Sequence, residues 1–166
     1  MAICEGRTVI ITGAGGGLGR AYALAFAQEG ANVVVNDIRH DAAEQVAGEI
    51  REGGGQAIAN ADDITTVATA QRIVDAALAA FGEVHVLVNN AGILRDRMFI
   101  SLAEEDWDAV MRVHLKGHFC LATILGKRWR DQAKAGQPVA ARIINTSSGA
   151  GLQGSVGQSN YSAAKG

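Results

Sequence analysis

Several residue types are scarce in this chain of 166 residues, and each scarcity excludes something. Two cysteines, Cys4 and Cys120, supply neither a disulfide framework nor zinc-ligand spacing, a usage that suits a reducing compartment and points to the cytoplasm. Neither sign of charge dominates. Fifteen Lys and Arg against seventeen Asp and Glu leave a net charge of −2 with no basic stripe, so nucleic acid and anionic membrane are not expected partners. Long apolar runs are absent too. The longest largely apolar stretch, Phe119–Leu125, is far short of the roughly 20 residues a bilayer span needs. Glu5, Gly6 and Arg7 interrupt the start of the chain, so no secretory h-region is expected there. Charged residues make up only 19% against 48% hydrophobic, which excludes intrinsic disorder and leaves enough apolar material for one packed domain.

Glycine is the residue in excess, at 21 positions, and only one proline, Pro138, is present. Short β-branched runs alternate with helical stretches. Strands are expected at Arg7–Thr12, Asn32–Asn36, Gln56–Asn60, Val84–Asn89 and Arg142–Thr146. Helices are expected at Leu18–Glu29, His40–Glu52, Thr65–Phe81 and Asn160–Gly166, and as one long helix over Glu104–Ala135 capped by Asp106 or Ser101. The strands read as near-continuous Val and Ile rather than alternating, so both faces are buried. That implies a doubly wound parallel sheet, a three-layer α/β/α structure of Rossmann type, over residues 1–166.

Thr12-Gly13-Ala14-Gly15-Gly16-Gly17-Leu18-Gly19 lies between the first strand and the first helix. Glycines there let the backbone turn tightly and approach a pyrophosphate, whose charge meets the helix N-terminus. Asp37 follows the second strand, 24 residues after Gly13, where a carboxylate can accept both hydroxyls of an adenosine ribose. A dinucleotide is therefore expected, NAD in preference to NADP, although Arg39 could swing towards a 2′-phosphate.

The pattern Thr-Gly-x-x-x-Gly-x-Gly resembles that of the short-chain dehydrogenase/reductase family, and the likeness continues in order along the chain. Asp63-Ile64 matches the acid and aliphatic pair beside the adenine, Asn89-Asn90-Ala91-Gly92 the turn after the fourth strand, and Tyr161-Ser162-Ala163-Ala164-Lys165 the Tyr-x-x-x-Lys signature. The stretches Asn89–Phe99, Glu105–Asp108, Arg112–Gly117 and Gly157–Lys165 are similar to those of (3R)-hydroxyacyl-CoA dehydrogenases. The resemblance implies coenzyme contacts at Thr12, Gly13, Gly17, Leu18, Gly19, Asp37, Ile38, Asp63, Ile64, Asn90, Ala91, Gly92, Tyr161 and Lys165. It also implies an oligomer in which the long helix and the next pack against their copies. The chain stops one residue after Lys165, whereas that family continues with more strands, so either a fragment of a longer enzyme or a truncated natural product, ending within the last helix, is expected.

Spacing alone places Tyr161 and Lys165 on one face of a helix. A free tyrosine ionises near pH 10 and becomes a base near neutrality only beside a cation that favours the phenolate by about 4 kcal/mol. Tyr161 is the expected acid/base and Lys165 its cation. Ser148, thirteen residues earlier, matches the family's catalytic serine, and the resemblance implies that it holds the substrate oxygen, with Ser147 the competing neighbour. Most members of the family carry Asn where this chain has His114. Two readings stay open there: a core histidine satisfied by a backbone carbonyl, or a catalytic residue replacing the Asn amide in a proton-relay water chain. His40, His85 and His118 match no metal spacing and read as surface or satisfied histidines, and Trp107 and Met111 read as core. Arg95 and Arg97 could meet a CoA phosphate or could lie in a solvated loop, and Asp62 reads as a mere neighbour of Asp63.

The expected activity is NAD-dependent interconversion of a secondary alcohol and a ketone, in fatty acid metabolism if the substrate is a 3-hydroxyacyl-CoA. The alternatives are an NADPH-dependent 3-oxoacyl reductase and a non-catalytic nucleotide-binding protein.

Overall fold

The computed structural model describes residues 2–166. Five parallel strands form one sheet: β1 (Thr8–Thr12), β2 (Asn32–Asn36), β3 (Gln56–Asn60), β4 (Val86–Asn89) and β5 (Arg142–Asn145), in the order β3-β2-β1-β4-β5. Helices α1 (Gly17–Gln28), α2 (His40–Glu52) and α3 (Val67–Phe81) follow the first three strands. Two cores result from the strict alternation of side chains along each strand. Val9, Ile11, Val33 and Val35 face Ala23, Val46 and Ile50 of α1 and α2. Ile10, Val34 and Leu87 face the opposite layer, where Ile73 and Val74 of α3 meet Leu121, Leu125 and Trp129. Burial on both faces explains why β1, β2 and β4 carry Val and Ile without polar alternation, whereas β5 departs from that expectation and is exposed along its length.

Several boundaries shift for local reasons. α3 begins two residues later than expected because the Thr66 side chain accepts a hydrogen bond from the Thr69 N–H and caps it. β4 begins at Val86 rather than at Val84, whose backbone carbonyl accepts from the Trp129 indole at 2.8 Å. The long helix is not one regular helix. It consists of α4 (Glu104–Met111), a π-helical turn over Arg112–Lys116, and α5 (Gly117–Lys134). Its N-cap is Ala103, with no side-chain cap, so neither Asp106 nor Ser101 serves. Trp107 and Met111 are partly exposed rather than core, because α4 buries only Val110. The loop after β5 contains a short helix, α6 (Gly149–Gln153), and the last helix is α7 (Ser159–Lys165).

β1 lies centrally, with β2 on one side and β4 on the other, so the chain reverses its winding between β1 and β4. The crevice beyond the C-terminal ends of these strands is the usual ligand position of such a sheet.

Candidate functional site

A cleft of about 710 Å³ occupies that crevice. The glycine loop forms its floor with Gly13, Gly15, Gly16 and Gly17, Asp37 and Ile38 stand at one end, and Asp63 and Ile64 form a wall. Asn90, Ala91 and Gly92 close the other side. Three of the glycines are forced by close approach. A Cβ on Gly19 would lie 2.2 Å from the Gly13 carbonyl oxygen, one on Gly13 2.8 Å from the Ala91 Cα, and one on Gly15 2.8 Å from an Asp37 oxygen. Gly16, the N-cap of α1, offers no side chain to the helix, leaving its first-turn N–H groups for a ligand acceptor. A dinucleotide's pyrophosphate fits this cradle.

Of the expected coenzyme contacts, Thr12, Leu18, Gly19, Tyr161 and Lys165 lie outside the lining. Thr12 is fully buried, and its hydroxyl accepts the N–H groups of Asn90 at 3.1 Å and Ala91 at 3.0 Å. The Asn90 amide in turn donates to the carbonyls of Thr12 and Gly13. These two residues stitch the turn after β4 to the glycine loop. Leu18 is exposed, and Gly19 lets α1 pack on the loop.

Asp37 is nearly buried, and its carboxylate accepts the Gly15 N–H at 3.1 Å and the Arg39 N–H at 3.0 Å. The exposed Arg39 guanidinium also pairs with it at 3.2 Å. Asp63 accepts from the N–H and hydroxyl of Thr65, while Arg112 of the π turn donates to that hydroxyl at 3.1 Å. No pattern of residue types announced this link between the cleft wall and the long helix. Asp62, expected to be idle, lines the cleft and forms an ion pair with Arg72.

Tyr161 and Lys165 come together as their spacing requires, the ammonium 5.9 Å from the phenol ring centroid. Asn160, fully buried, fixes the start of α7. Its amide nitrogen donates to the Arg95 carbonyl, and its oxygen accepts the Tyr161 N–H at 2.8 Å. The Lys165 ammonium donates to the Thr146 carbonyl, and burial lowers its pKa from the ordinary lysine value. Ser147 donates its hydroxyl to the Lys165 carbonyl at 3.0 Å. Ser148 caps α6 by accepting the Ala150 N–H, which leaves its own proton free to donate.

His114 is 1% exposed and sits in the π turn, edge-on to the Tyr161 ring with centroids 5.2 Å apart. Its Nε2 lies 2.9 Å from the Ile93 carbonyl oxygen and 3.0 Å from the Ile93 nitrogen, so backbone satisfies that atom in either tautomer. Its Nδ1 is buried with no protein partner. Burial lowers its pKa. His85 is satisfied, accepting the Thr8 N–H, and His40 is exposed. His118 is neither a surface nor a satisfied histidine. Its Nε2 is buried without a partner, and burial and the Lys165 charge push its pKa down to about 4. Arg95 is exposed and approaches Asp106 at 3.7 Å, while Arg97 lies in an exposed segment joined by backbone to Gly157 at 2.9 Å. No described helix is long and apolar enough to cross a membrane.

Comparison with known proteins places these features among relatives. The chain is 49% identical over 170 aligned residues to peroxisomal multifunctional enzyme type 2 of Mus musculus, covering 97% of this chain and 22% of that protein. It is 46% identical to hydroxyacyl-CoA dehydrogenase ChsB1 of Mycobacterium tuberculosis, covering 97% and 53%. A solved short chain dehydrogenase from Mycobacterium avium superposes with a TM-score of 0.96 at 54% identity, covering 99% of this chain and 61% of that one. A 3-ketoacyl-(acyl-carrier-protein) reductase from Brucella melitensis, complexed with NADH, superposes at 0.89 with 35% identity, covering 98% and 65%. This chain therefore spans less than two thirds of each of these four proteins. The family model for short chain dehydrogenases matches residues 7–166, and the chain belongs to that family.

Proposed function

We propose that this chain is the coenzyme-binding and catalytic part of an NAD-dependent dehydrogenase interconverting a secondary alcohol and a ketone, with a (3R)-3-hydroxyacyl-CoA as substrate. One observation carries the chemical part: Tyr161 and the buried Lys165 ammonium stand together on α7, which packs against α6, the helix capped by Ser148, whose hydroxyl proton is free. The acyl-CoA part rests on the likeness to a hydroxyacyl-CoA dehydrogenase.

A bound nicotinamide would supply the hydride acceptor. This chain's residues do the rest. Ser148 donates to the substrate oxygen and holds it, Tyr161 takes the alcohol proton or returns it in the reverse direction, and Lys165 favours the phenolate. Gly13 to Gly17 receive the pyrophosphate, and Asp37 receives the ribose hydroxyls once Arg39 yields its place on the carboxylate. Asp37 would repel a 2′-phosphate, which favours NAD. One relative is named as peroxisomal, which tells against reading the cytoplasm from cysteine usage.

In the intact enzyme, Tyr161→Phe should abolish turnover while NADH affinity stays within about twofold, since the ring remains and only the proton carrier goes. Lys165→Ala should damage both. Retention of more than about a tenth of wild-type activity in Tyr161→Phe sinks the reading. NADP binding tighter than NAD in the same titrations favours the reductase alternative, in which Arg39 turns to the phosphate. Full binding with no turnover of any 3-hydroxyacyl-CoA by the unaltered enzyme favours a nucleotide-binding protein.

A further inference from the structure

The long helix touches the cleft wall on either side of its π turn. At the start of the turn, the Arg112 Nε donates to the Thr65 hydroxyl at 3.1 Å, and a terminal nitrogen of the same guanidinium stands 3.6 Å from the Asp63 carboxylate. Just past its end, Gly117 meets Ile64 so closely that a Cβ there would lie 2.6 Å from the Ile64 Cδ1. Five residues of α-helix, at about 100° each, would leave these two positions roughly 140° apart. Bonds from i to i+5 add a residue to the turn and bring both nearer one face, so a single helix grips Asp63 and Ile64 together. Asp63 is held from one side. Its Oδ1 accepts the Thr65 N–H at 2.8 Å, and its Oδ2 accepts the Thr65 hydroxyl at 2.7 Å. Because Arg112 donates to that hydroxyl, the Thr65 proton is turned toward Asp63. An ionised carboxylate offers about four acceptor positions, so about two remain, and Asp63 lines the cleft.

We propose that Arg112 makes the cleft selective for an adenine base: acting through Thr65, it fixes the Asp63 carboxylate so that its remaining lone pairs accept the exocyclic amino group of the base. The proposal rests on the dinucleotide reading above. On that reading the glycine loop after β1 receives the pyrophosphate and Asp37 after β2 the ribose. The base then lies next along the same line, beyond the end of β3, where Asp63 and Ile64 stand. Ile64, backed by Gly117, is the apolar wall against the ring. Hypoxanthine, which carries a carbonyl oxygen in place of the amino group, sets an acceptor against an acceptor at Asp63 and is disfavoured. Without Arg112 the Thr65 hydroxyl is free to rotate, the carboxylate loses one of its fixed contacts, and the discrimination weakens. Arg112 is exposed and is not among the residues lining the cleft. It is a positioning residue, and it acts through Thr65 and Asp63.

The test measures two dissociation constants in the intact enzyme by fluorescence of the bound dihydronicotinamide. One is for NADH, the other for the same reduced coenzyme with hypoxanthine in place of adenine. The proteins compared are the unaltered enzyme, Arg112→Leu, Asp63→Ala and the double variant. The unaltered enzyme should bind NADH about tenfold more tightly than the hypoxanthine coenzyme, and the preference should fall to within about threefold in each single variant. Affinity for the hypoxanthine coenzyme should stay within about twofold throughout, which also shows that the variants fold. The double variant should be no less selective than Asp63→Ala, because both substitutions remove one interaction. An undiminished preference in Arg112→Leu or in Asp63→Ala overturns the proposal, as does a further fall in the double variant. Equal weakening of both coenzymes in Arg112→Leu overturns it too, since the arginine then only supports the fold. An unaltered enzyme that binds both coenzymes equally overturns the assignment of Asp63 to the base, and the proposal with it, while leaving the dinucleotide reading standing. An unaltered enzyme that binds neither overturns the dinucleotide reading itself.

Discussion

At the scale of single residues, the site is set by which polar groups are satisfied and which are left over. Adjacent serines divide their work in this way. Ser147 spends its proton on the Lys165 carbonyl, while Ser148 accepts from Ala150 and keeps its proton. Among the histidines, His114 Nδ1 and His118 Nε2 are left over, and the folded-state pKa of His118, about 4, has a consequence for stability. An unfolded imidazole takes up its proton near pH 6.5, so as pH falls the unfolded chain binds it first. His118 therefore contributes nothing adverse above about pH 6.5, and folding stability is lost progressively from there down to about pH 4. The groups facing it, Lys165 and His114, add to the effect by opposing a further positive charge. Thermal unfolding followed from pH 7 to 4.5 should show a falling midpoint, and the fall should be shallower in His118→Asn. Parallel curves for the two proteins would contradict this assignment.

At the scale of elements, turns and caps decide what the strands and helices present. Thr12 ends β1 with a hydroxyl that gathers two N–H groups of the turn after β4, so two crossovers distant in sequence share one anchor. The π turn does the same between layers. Arg112 reaches Thr65 at the cleft wall, and His114 reaches Ile93 and Tyr161. At the start of α3, the Thr66 cap fixes where the helix begins and hence where Thr65 and Asp63 stand before it. Thr66→Ala should cost about 1 kcal/mol, read as a shifted denaturant midpoint with an unchanged slope. Coenzyme affinity should weaken slightly with it. An unchanged midpoint would show that α3 is held by its packing on the second core alone.

At the scale of the whole molecule, apolar surface is left outside both cores. Leu115 and Phe119 are more than half or about half exposed along the long helix, at 50% and 59%, and Ile143 and Ile144 of β5 are exposed at 43% and 44%. Phe99 and Ile100 project from the segment after β4. Surface of this kind marks association. The 166-residue chain, prepared by itself, should self-associate at micromolar concentration. Light scattering would detect it, and a stable, monodisperse monomer would contradict it.

What the amino-acid order determined by itself is everything governed by short-range rules. Glycines that tolerate no Cβ, β-branched runs buried on both faces, and a Tyr and Lys four apart on one helix all follow from local geometry, so the parallel sheet and most of the candidate site were legible. Only tertiary structure decided the rest. Nothing in Arg112–Lys116 distinguishes a π turn from an ordinary one, since the extra residue per turn is stabilised by partners distant in sequence, Thr65 and Ile93. The same holds for His118. Its spacing suggested a surface or satisfied side chain, whereas its state depends on Lys165, 47 residues away in the numbering and brought near by the fold. Burial and unpaired nitrogen atoms are properties of packing, and packing is written in contacts that no local window of the chain contains.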